Sequence, residues 1–376
     1  MRPLHPLPAV LTLVAVSCAT VTPRPRDRDL RDVLEAALSD SRIPGMAAAV
    51  VKGGEIVAYG VAGVRRAGTT DLIQVDDRFH IASITKGLTA TAAAVLVERR
   101  QLSWSTRITE VFPELGQAMR GEYRDVTLHQ LLVHAGRLPP YTQPSPEEIA
   151  AMHALQGSHA QQRAAFVRQV LTEAPIDAGG NAAYSNAGYA VVGAIIDRVA
   201  GEPWETFVQR HVLATLRMRR ASFGWPVQPG VPSQPLGHHS ENGSVRLQPL
   251  DLRFLAPALW PAGAVSCSIV DLARYAADHL NGLKGRPALL SPATYVHLHS
   301  TVDGSVKGFT SGWGVDQHAR WGEMHFGAGS GGRYFARVAL LPKVDLAIVV
   351  LANSGDAAKA TRDVIERLAE QFGGSS

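Results

Sequence analysis

A serine and a lysine three residues apart, Ser83 and Lys86, are the first side chains whose types and spacing could carry chemistry. Positions three apart share one face of a helix. A serine at a helix N-terminus lies beside free backbone N–H groups, and a lysine buried one turn later can take up the serine's proton. The apolar run Thr89 to Val97 would bury Lys86. The pair predicts a nucleophilic serine; the alternative is a serine N-cap followed by a surface lysine.

Tyr184-Ser185-Asn186 is the second candidate, between a loop at Asp177 to Asn181 and a predicted helix that begins at Ser185. A phenol beside an ammonium group can act as a general acid or base. The Asn186 amide offers both a donor and an acceptor, which suits a substrate carbonyl and Lys86. The alternative is an asparagine N-cap beside a packed tyrosine.

His325-Phe326-Gly327, followed by Ala328, is the third candidate, just before two predicted C-terminal strands. A backbone N–H on an edge strand can complete an oxyanion hole with the N–H of Ser83. Gly327 would let a substrate approach the main chain. His134-Ala135-Gly136 has the same H-x-G form, so the form alone indicates nothing. The third motif is a candidate only because it follows the other two motifs and precedes the two predicted C-terminal strands.

Strands are predicted at both ends of the chain, and helices between them. Apolar β-type runs joined at Gly53-Gly54 form a hairpin, and a helical pattern runs from Ser83 to Glu98. The predicted strands are Met46–Val51, Glu55–Val61, Phe309–Val315, Tyr334–Leu341 and Leu346–Leu351. The expected fold is α+β: an antiparallel sheet made from both chain ends and flanked by helices, with a mostly helical region inserted. The hydrolase domain would span 30–376, its α/β part about 30–100 and 300–376 and its helical part about 101–299.

The first 19 residues are typical of an export signal, with Arg2, an apolar run and then small residues. The sequence before Cys18 resembles a lipobox, which would put a lipid on that cysteine; the alternative is cleavage after Ala19. Residues 20–29 are predicted to be a linker. We therefore expect a bacterial protein that is exported, either periplasmic or lipid-anchored to the cell envelope.

Composition excludes several classes of protein. The 376 residues are 46% hydrophobic and 19% charged, which excludes disorder and coiled coil. The net charge of +4 is too small and too evenly spread to indicate nucleic acid binding. Outside the leader Cys267 is the only cysteine, so no intrachain disulfide is expected in the mature chain.

The three motifs in this order resemble the serine β-lactamase-like hydrolases of class C type, from about Leu30 to Phe372. That group includes class C β-lactamases, D-alanyl-D-alanine peptidases and related esterases. The resemblance implies an acyl-enzyme on Ser83, whose proton Lys86 and Tyr184 share. It implies that Asn186 orients Lys86 and the acyl carbonyl, and that the N–H groups of Ser83 and Ala328 hold the oxyanion. No metal or other cofactor is expected.

The third motif departs from the family's usual form, because it begins with His325 where β-lactamases and peptidases usually have a lysine that attracts a substrate carboxylate. The departure favours a small neutral ester or amide as the substrate. The alternatives are a β-lactamase, a D-alanyl-D-alanine carboxypeptidase, or a non-hydrolytic penicillin-binding-like sensor or scaffold of cell-wall peptides.

Two other hydrolase classes are disfavoured. Ser330 lies in a near match to the G-x-S-x-G nucleophile elbow, but a strand follows it and no histidine occurs after His325. The close pairs His238-His239 and His297-Leu298-His299 lack the carboxylates and helical spacing of a metal hydrolase.

Overall fold

The computed structural model describes residues 28–176, 183–227, 233–241, 244–247, 256–301 and 308–374. The predicted export signal, the lipobox and nearly all of the predicted linker lie outside these residues. Within these ranges no helix is both long and apolar enough to span a bilayer.

A six-stranded antiparallel sheet forms the centre of the molecule, in the order β2-β1-β11-β10-β9-β8. Its strands come from both chain ends, which confirms the predicted fold class. The strands are β1 Gly45–Lys52, β2 Glu55–Gly63, β8 Gly314–His318, β9 Gly322–Ser330, β10 Phe335–Leu341 and β11 Leu346–Ala352. Short strands β3 Phe79–His80, β4 Ser222–Phe223 and β7 Val265–Cys267 form a second sheet, and β5 His238–Glu241 pairs with β6 Ser244–Leu247.

The strands that join the two chain ends are the most apolar ones. β11 reads LAIVVLA and every one of its residues is buried, as expected of a strand covered on both faces. It pairs with β1 from Met46↔Ala352 to Lys52↔Leu346. This long-range pairing brings the N-terminal and C-terminal segments together, and therefore brings the residues that follow β2 close to those of β9.

Helices cover both faces of the sheet. One face packs on α1 Arg28–Ser41 and α12 Ala358–Phe372, whose apolar stripes form one core with alternate residues of β1, β10 and β11. The opposite face packs on α10 Ile269–Leu283 and on the region of α2 Thr85–Glu98. α10 falls in the stretch that we assigned to the helical part, yet it lies on the sheet.

The inserted region is mostly helical, as predicted. Ser145 and Ser158 form capping boxes at the starts of two of its helices, which explains where those helices begin. Its helices are α3 Ile108–Val111, α4 Leu128–Leu132, α5 Pro146–Ala154, α6 His159–Val170, α7 Asn186–Ala200, α8 Trp204–Val208, α9 Trp260–Gly263 and α11 Pro292–His299. α7 is buried along most of its length and packs against α2, which fixes the two helix starts relative to each other.

Two differences from the sequence prediction concern the C-terminal half of the sheet. Strand β9 was not predicted, because glycine has low β-propensity and its sequence GEMHFGAGS lacks the pattern of a buried strand. The strand predicted at Phe309–Val315 begins only at Gly314 and continues to His318. The third candidate motif therefore lies inside β9, and the two strands predicted after it follow as β10 and β11.

Candidate active site

Ser83 lies in a strained turn at the start of α2. It belongs to a short 3-10 helix, Ala82–Ile84, and α2 follows at Thr85. Ala82 has φ 44°, in the left-handed region that non-glycine residues rarely adopt. Backbone strain of this kind, about 1–3 kcal/mol, clusters at functional sites. The turn lifts the serine out of the buried helix and leaves its side chain half-exposed.

Lys86 is buried one turn after Ser83, with 2% of its surface exposed. Its Nζ donates to Asn186 Oδ1 at 2.7 Å, to the carbonyl oxygen of Ala262 at 2.9 Å and to Ser83 Oγ at 3.3 Å. Burial lowers the pKa of the Lys86 ammonium, and the nearby Tyr184 phenol partly offsets that shift. The Asn186 and Ala262 oxygens thus accept two of the three ammonium hydrogens, and the third hydrogen points to Ser83 Oγ.

Tyr184 and Asn186 flank the N-cap of α7. The cap is Ser185, whose Oγ accepts from the N–H of Gly188. The Asn186 Nδ2 donates to the carbonyl oxygen of Tyr141 at 2.8 Å, which directs its Oδ1 toward Lys86. The Tyr184 ring centroid is 4.7 Å from Lys86 Nζ. The start of α7 therefore brings the amide and the phenol to the lysine that faces Ser83.

His134 packs against Tyr184 in a way that the sequence did not indicate. The two ring centroids are 4.3 Å apart, and His134 Nδ1 accepts the N–H of Ser185 at 3.1 Å. Burial, together with the charge on Lys86, lowers the pKa of His134 to about 3. The imidazole is therefore neutral at pH 7, and since Nδ1 accepts a hydrogen bond, its hydrogen is on Nε2.

Gly329, in β9, makes the closest approach of the sheet to the serine turn. A Cβ at this position would lie 2.0 Å from the carbonyl oxygen of Ile81 and 3.1 Å from the Ser83 nitrogen. The N–H of Gly331 points to β10, where it donates to Tyr334. Because N–H directions alternate along a strand, the N–H groups of Ala328 and Ser330 point to the other edge. β8 pairs with β9 only as far as Phe326, so that edge is open.

The structure contradicts the predicted position of His325. Its imidazole is buried, with Nε2 3.1 Å from a carboxylate oxygen of Glu323, and it lines a cavity away from Ser83. His325 precedes Gly329 by four residues, which is about 13 Å along a strand. The physical reason is register, because His325 lies four residues before Gly329, which packs against Ile81 and Ser83.

The other two residues of the third motif lie closer to the site. Gly327 and Ala328 both line a cavity that Ser83 also lines. A Cβ on Gly327 would lie 3.3 Å from the Ile84 side chain, so this glycine packs on the serine turn. The N–H groups of Ala328 and Ser330, the two residues that flank Gly329, both face the open edge.

Two cavities adjoin Ser83. The first, which we call the aromatic cavity, measures about 280 Å³ and is bordered by Lys86, His134, Tyr184, Phe309, Trp313 and Phe326. The second, which we call the smaller cavity, measures about 100 Å³ and is bordered by His80, Ala82, Tyr141, Asn186, Leu259 and Gly331. Ser330 borders both. A carbonyl group at Ser83 therefore has space on either side.

The sequence motifs thus meet at Ser83 with one exception, His325. Sequence reasoning missed His134, Phe309, Gly329 and Ser330. The glycine run 327–332 was the available indication of a close approach, but only Gly327 was considered in that sense, and residues 328–332 were considered as a nucleophile elbow. Across the described ranges, no group of three histidine, cysteine, aspartate or glutamate side chains is arranged to hold a metal ion.

The sequence profile of the beta-lactamase family matches residues 30–371. The chain belongs to the beta-lactamase family. It is 24% identical over 353 residues to penicillin-binding protein 4 of Amycolatopsis lactamdurans, an alignment that covers 90% of this chain and 88% of that protein.

Solved structures of similar fold agree with this membership. The octameric penicillin-binding protein homologue of Pyrococcus abyssi superposes with a TM-score of 0.73 at 22% identity, covering 92% of this chain and 77% of that one. A D-stereospecific amidohydrolase from Streptomyces superposes with a TM-score of 0.67 at 22% identity, covering 93% and 100%. Members of this family are typically serine hydrolases.

Proposed function

We propose that the protein is a serine hydrolase that cleaves a neutral ester or amide through an acyl-enzyme on Ser83. The observation that carries the proposal is the contact of Lys86 Nζ with Ser83 Oγ, in a buried site where Asn186 and a backbone carbonyl hold the other hydrogens of the amine. The likeness to penicillin-binding proteins and to an amidohydrolase supports acyl transfer as the reaction class.

The first half-reaction begins with loss of the third Lys86 proton, which its lowered pKa favours. The neutral amine then takes the hydrogen of Ser83 as Oγ attacks the substrate carbonyl carbon. When the tetrahedral adduct collapses, the bond to the leaving group breaks and Tyr184 supplies a proton to the departing oxygen or nitrogen. The proton that Lys86 gained returns to Tyr184, and Ser83 is left as an acyl ester.

In the second half-reaction, water attacks the acyl carbonyl carbon and transfers a proton to the Tyr184 oxygen, while the phenol passes its own proton to the Lys86 amine. When this adduct collapses, the bond between the carbon and Ser83 Oγ breaks, Lys86 returns the proton to Oγ, and a free acid is released. Two backbone N–H groups hold the oxyanion in both halves: that of Ser83 and one from the open edge of β9, supplied by Ala328 or Ser330. Both of these residues flank Gly329, which packs against the serine turn, and both line the cavity beside Ser83.

The charges around the site support a neutral substrate. Lys86 is the one lysine or arginine among the described residues that line either cavity, and its amine is already engaged by three protein oxygens. His134, the imidazole beside Tyr184, is uncharged at pH 7. A substrate carboxylate would lose hydration on entry without gaining an ion pair, which is unfavourable. This disfavours β-lactams and peptides that end in a carboxylate.

The test combines labelling with turnover. A fluorophosphonate should add to Ser83, as located by peptide mass spectrometry, and a short-chain nitrophenyl ester should be hydrolysed. Ser83→Ala should remove both, whereas Ser330→Ala, which keeps its backbone N–H, should retain labelling at Ser83. Loss of labelling in both variants would refute the assignment. A penicillin adduct on Ser83 that does not turn over would favour the sensor alternative.

A further inference from the structure

The cavities on the two sides of Ser83 differ in size and in chemistry. The aromatic cavity, at about 280 Å³, is nearly three times the volume of the smaller cavity, at about 100 Å³. Phe309 and Phe326 are only half-buried where they border it. Partly exposed phenylalanine rings beside a reactive serine are apolar surface that a ligand can cover.

The aromatic rings around the aromatic cavity pack against one another and against neighbouring rings. The Phe309 ring meets Tyr184 edge-on at 5.7 Å and His134 at 6.0 Å. On the opposite wall, the Trp313 ring stacks on Tyr275 at 5.8 Å. Edge-on and stacked pairs at these distances are the favoured arrangements of aromatic rings. The walls can therefore receive a flat ring without first having to be ordered.

The proton donor decides which part of the substrate enters which cavity. Tyr184 borders the aromatic cavity and not the smaller one. In acyl transfer, the group that protonates the leaving atom must lie on the leaving-group side of the carbonyl. The acyl chain must then extend to the other side of Ser83, past Leu259 and Tyr141.

We propose that the aromatic cavity is a leaving-group site for an uncharged aryl alcohol or arylamine, and that the smaller cavity admits only a short acyl chain. The proposal rests on the proposed function, because it assigns parts of the substrate of that reaction. It makes Phe309 a specificity-determining residue for the leaving group, and Leu259 one for the acyl chain.

The test uses three ester series on the full protein. Phenyl and 2-naphthyl acetate vary leaving-group size, and 2-naphthyl acetate, butyrate and octanoate vary acyl length. The 4-carboxyphenyl and 4-carbamoylphenyl acetates differ in charge at nearly constant shape. We expect kcat/KM to rise about tenfold from phenyl to naphthyl, to fall at least tenfold from acetate to octanoate, and to be at least tenfold lower for the carboxylate.

Two variants separate the cavities. Phe309→Ala should bring the naphthyl-to-phenyl ratio of kcat/KM close to one and leave the acyl-length ratio unchanged. Leu259→Ala should raise the relative rate on octanoate without changing the naphthyl-to-phenyl ratio. The opposite pattern would reverse the assignment. If either variant fails to fold, the wild-type protein still tests the proposal through the 4-carboxyphenyl and 4-carbamoylphenyl acetates. Equal kcat/KM values for these two esters would overturn it.

Failure of the underlying function has a different signature. A protein that neither labels at Ser83 nor hydrolyses any ester would refute the proposed function. A protein that labels at Ser83 and hydrolyses esters, but whose kcat/KM is the same for small and large and for charged and neutral substrates, would refute only the assignment of the two cavities.

Discussion

Two groups of ionisable side chains, all buried except the half-buried Tyr184, lie on the same side of the sheet. One is the active-site group of Lys86, His134 and Tyr184. The other, which we call the histidine cluster, consists of His279, His299 and His325, packed between α10, α11 and β9. Burial lowers the pKa of Lys86 and of all three histidines. A depressed pKa is therefore common to both groups.

The hydrogen-bond partners differ. In the histidine cluster the rings bond each other and their surroundings: His279 Nδ1 lies 2.8 Å from His299 Nε2, and His325 Nε2 lies 3.1 Å from Glu323. In the active-site group, one contact of Lys86 goes to a half-exposed serine oxygen that opens on two cavities. A buried ionisable group indicates a catalytic site only when it meets a reactive atom that a substrate can reach.

The largest expected difference between the groups is in turnover. Lys86→Arg replaces an amine that can lose its proton with a guanidinium that stays charged, so kcat should fall by about 10²–10⁴-fold. His299→Asn, made in the histidine cluster as the control, should change kcat less than twofold. Steady-state kinetics on a nitrophenyl ester measures both. A loss in His299→Asn comparable with that in Lys86→Arg would mean that the cluster takes part in the chemistry.

The next prediction concerns β9, which carries His325 of the histidine cluster and, further along, the glycines that pack against the serine turn. Gly329→Ala places a methyl group against the Ile81 carbonyl and the serine turn, and should lower kcat by about 100-fold through displacement of the oxyanion donors. Gly327→Ala, two residues away on the same strand, meets side chains rather than backbone, Ile84 at 3.3 Å and Val338 at 4.0 Å, and should lower kcat far less. Similar losses in both variants would contradict the register we assign to the site.

The smallest expected effect is on stability at mildly acidic pH. Burial lowers the pKa of His279 to about 3, so the folded state takes up no proton there at pH 5 while the unfolded state does. The free energy of unfolding should therefore fall as pH drops below about 6.5, by about 2 kcal/mol at pH 5 for this one histidine.

Urea denaturation of the wild type and of His279→Asn at pH 7.5 and pH 5.0 measures that contribution. The decrease between the two pH values should be smaller in the variant. Other buried histidines, including His80 and His134, contribute to the remaining decrease, because burial lowers the pKa of each to about 3. An equal decrease in both proteins would show that His279 is protonated in the folded state at pH 5.

Much of the fold followed from the sequence because its determinants are local. Apolar strands with a glycine pair between them predict the first hairpin, and apolar helical patterns predict α2 and α7. The motif spacing of Ser83 and Lys86 is set by a single helical turn, so their proximity could also be predicted. Tyr184 and Asn186 were identified by their place beside a helix start.

The register of β9 and the two cavities depended on the tertiary structure. A glycine-rich strand carries little sequence pattern, and only its pairing with β10 decides that Gly327 and Gly329 both face the serine turn, with Gly329 against Ser83. The same pairing puts His325 in a separate cluster. His134 and Phe309 come from distant loops, and their contact with Tyr184 arises only when the helical region packs against the sheet. Local spacing therefore determined the proximity of the proposed nucleophile and its proposed base, whereas long-range packing decided which residues surround them.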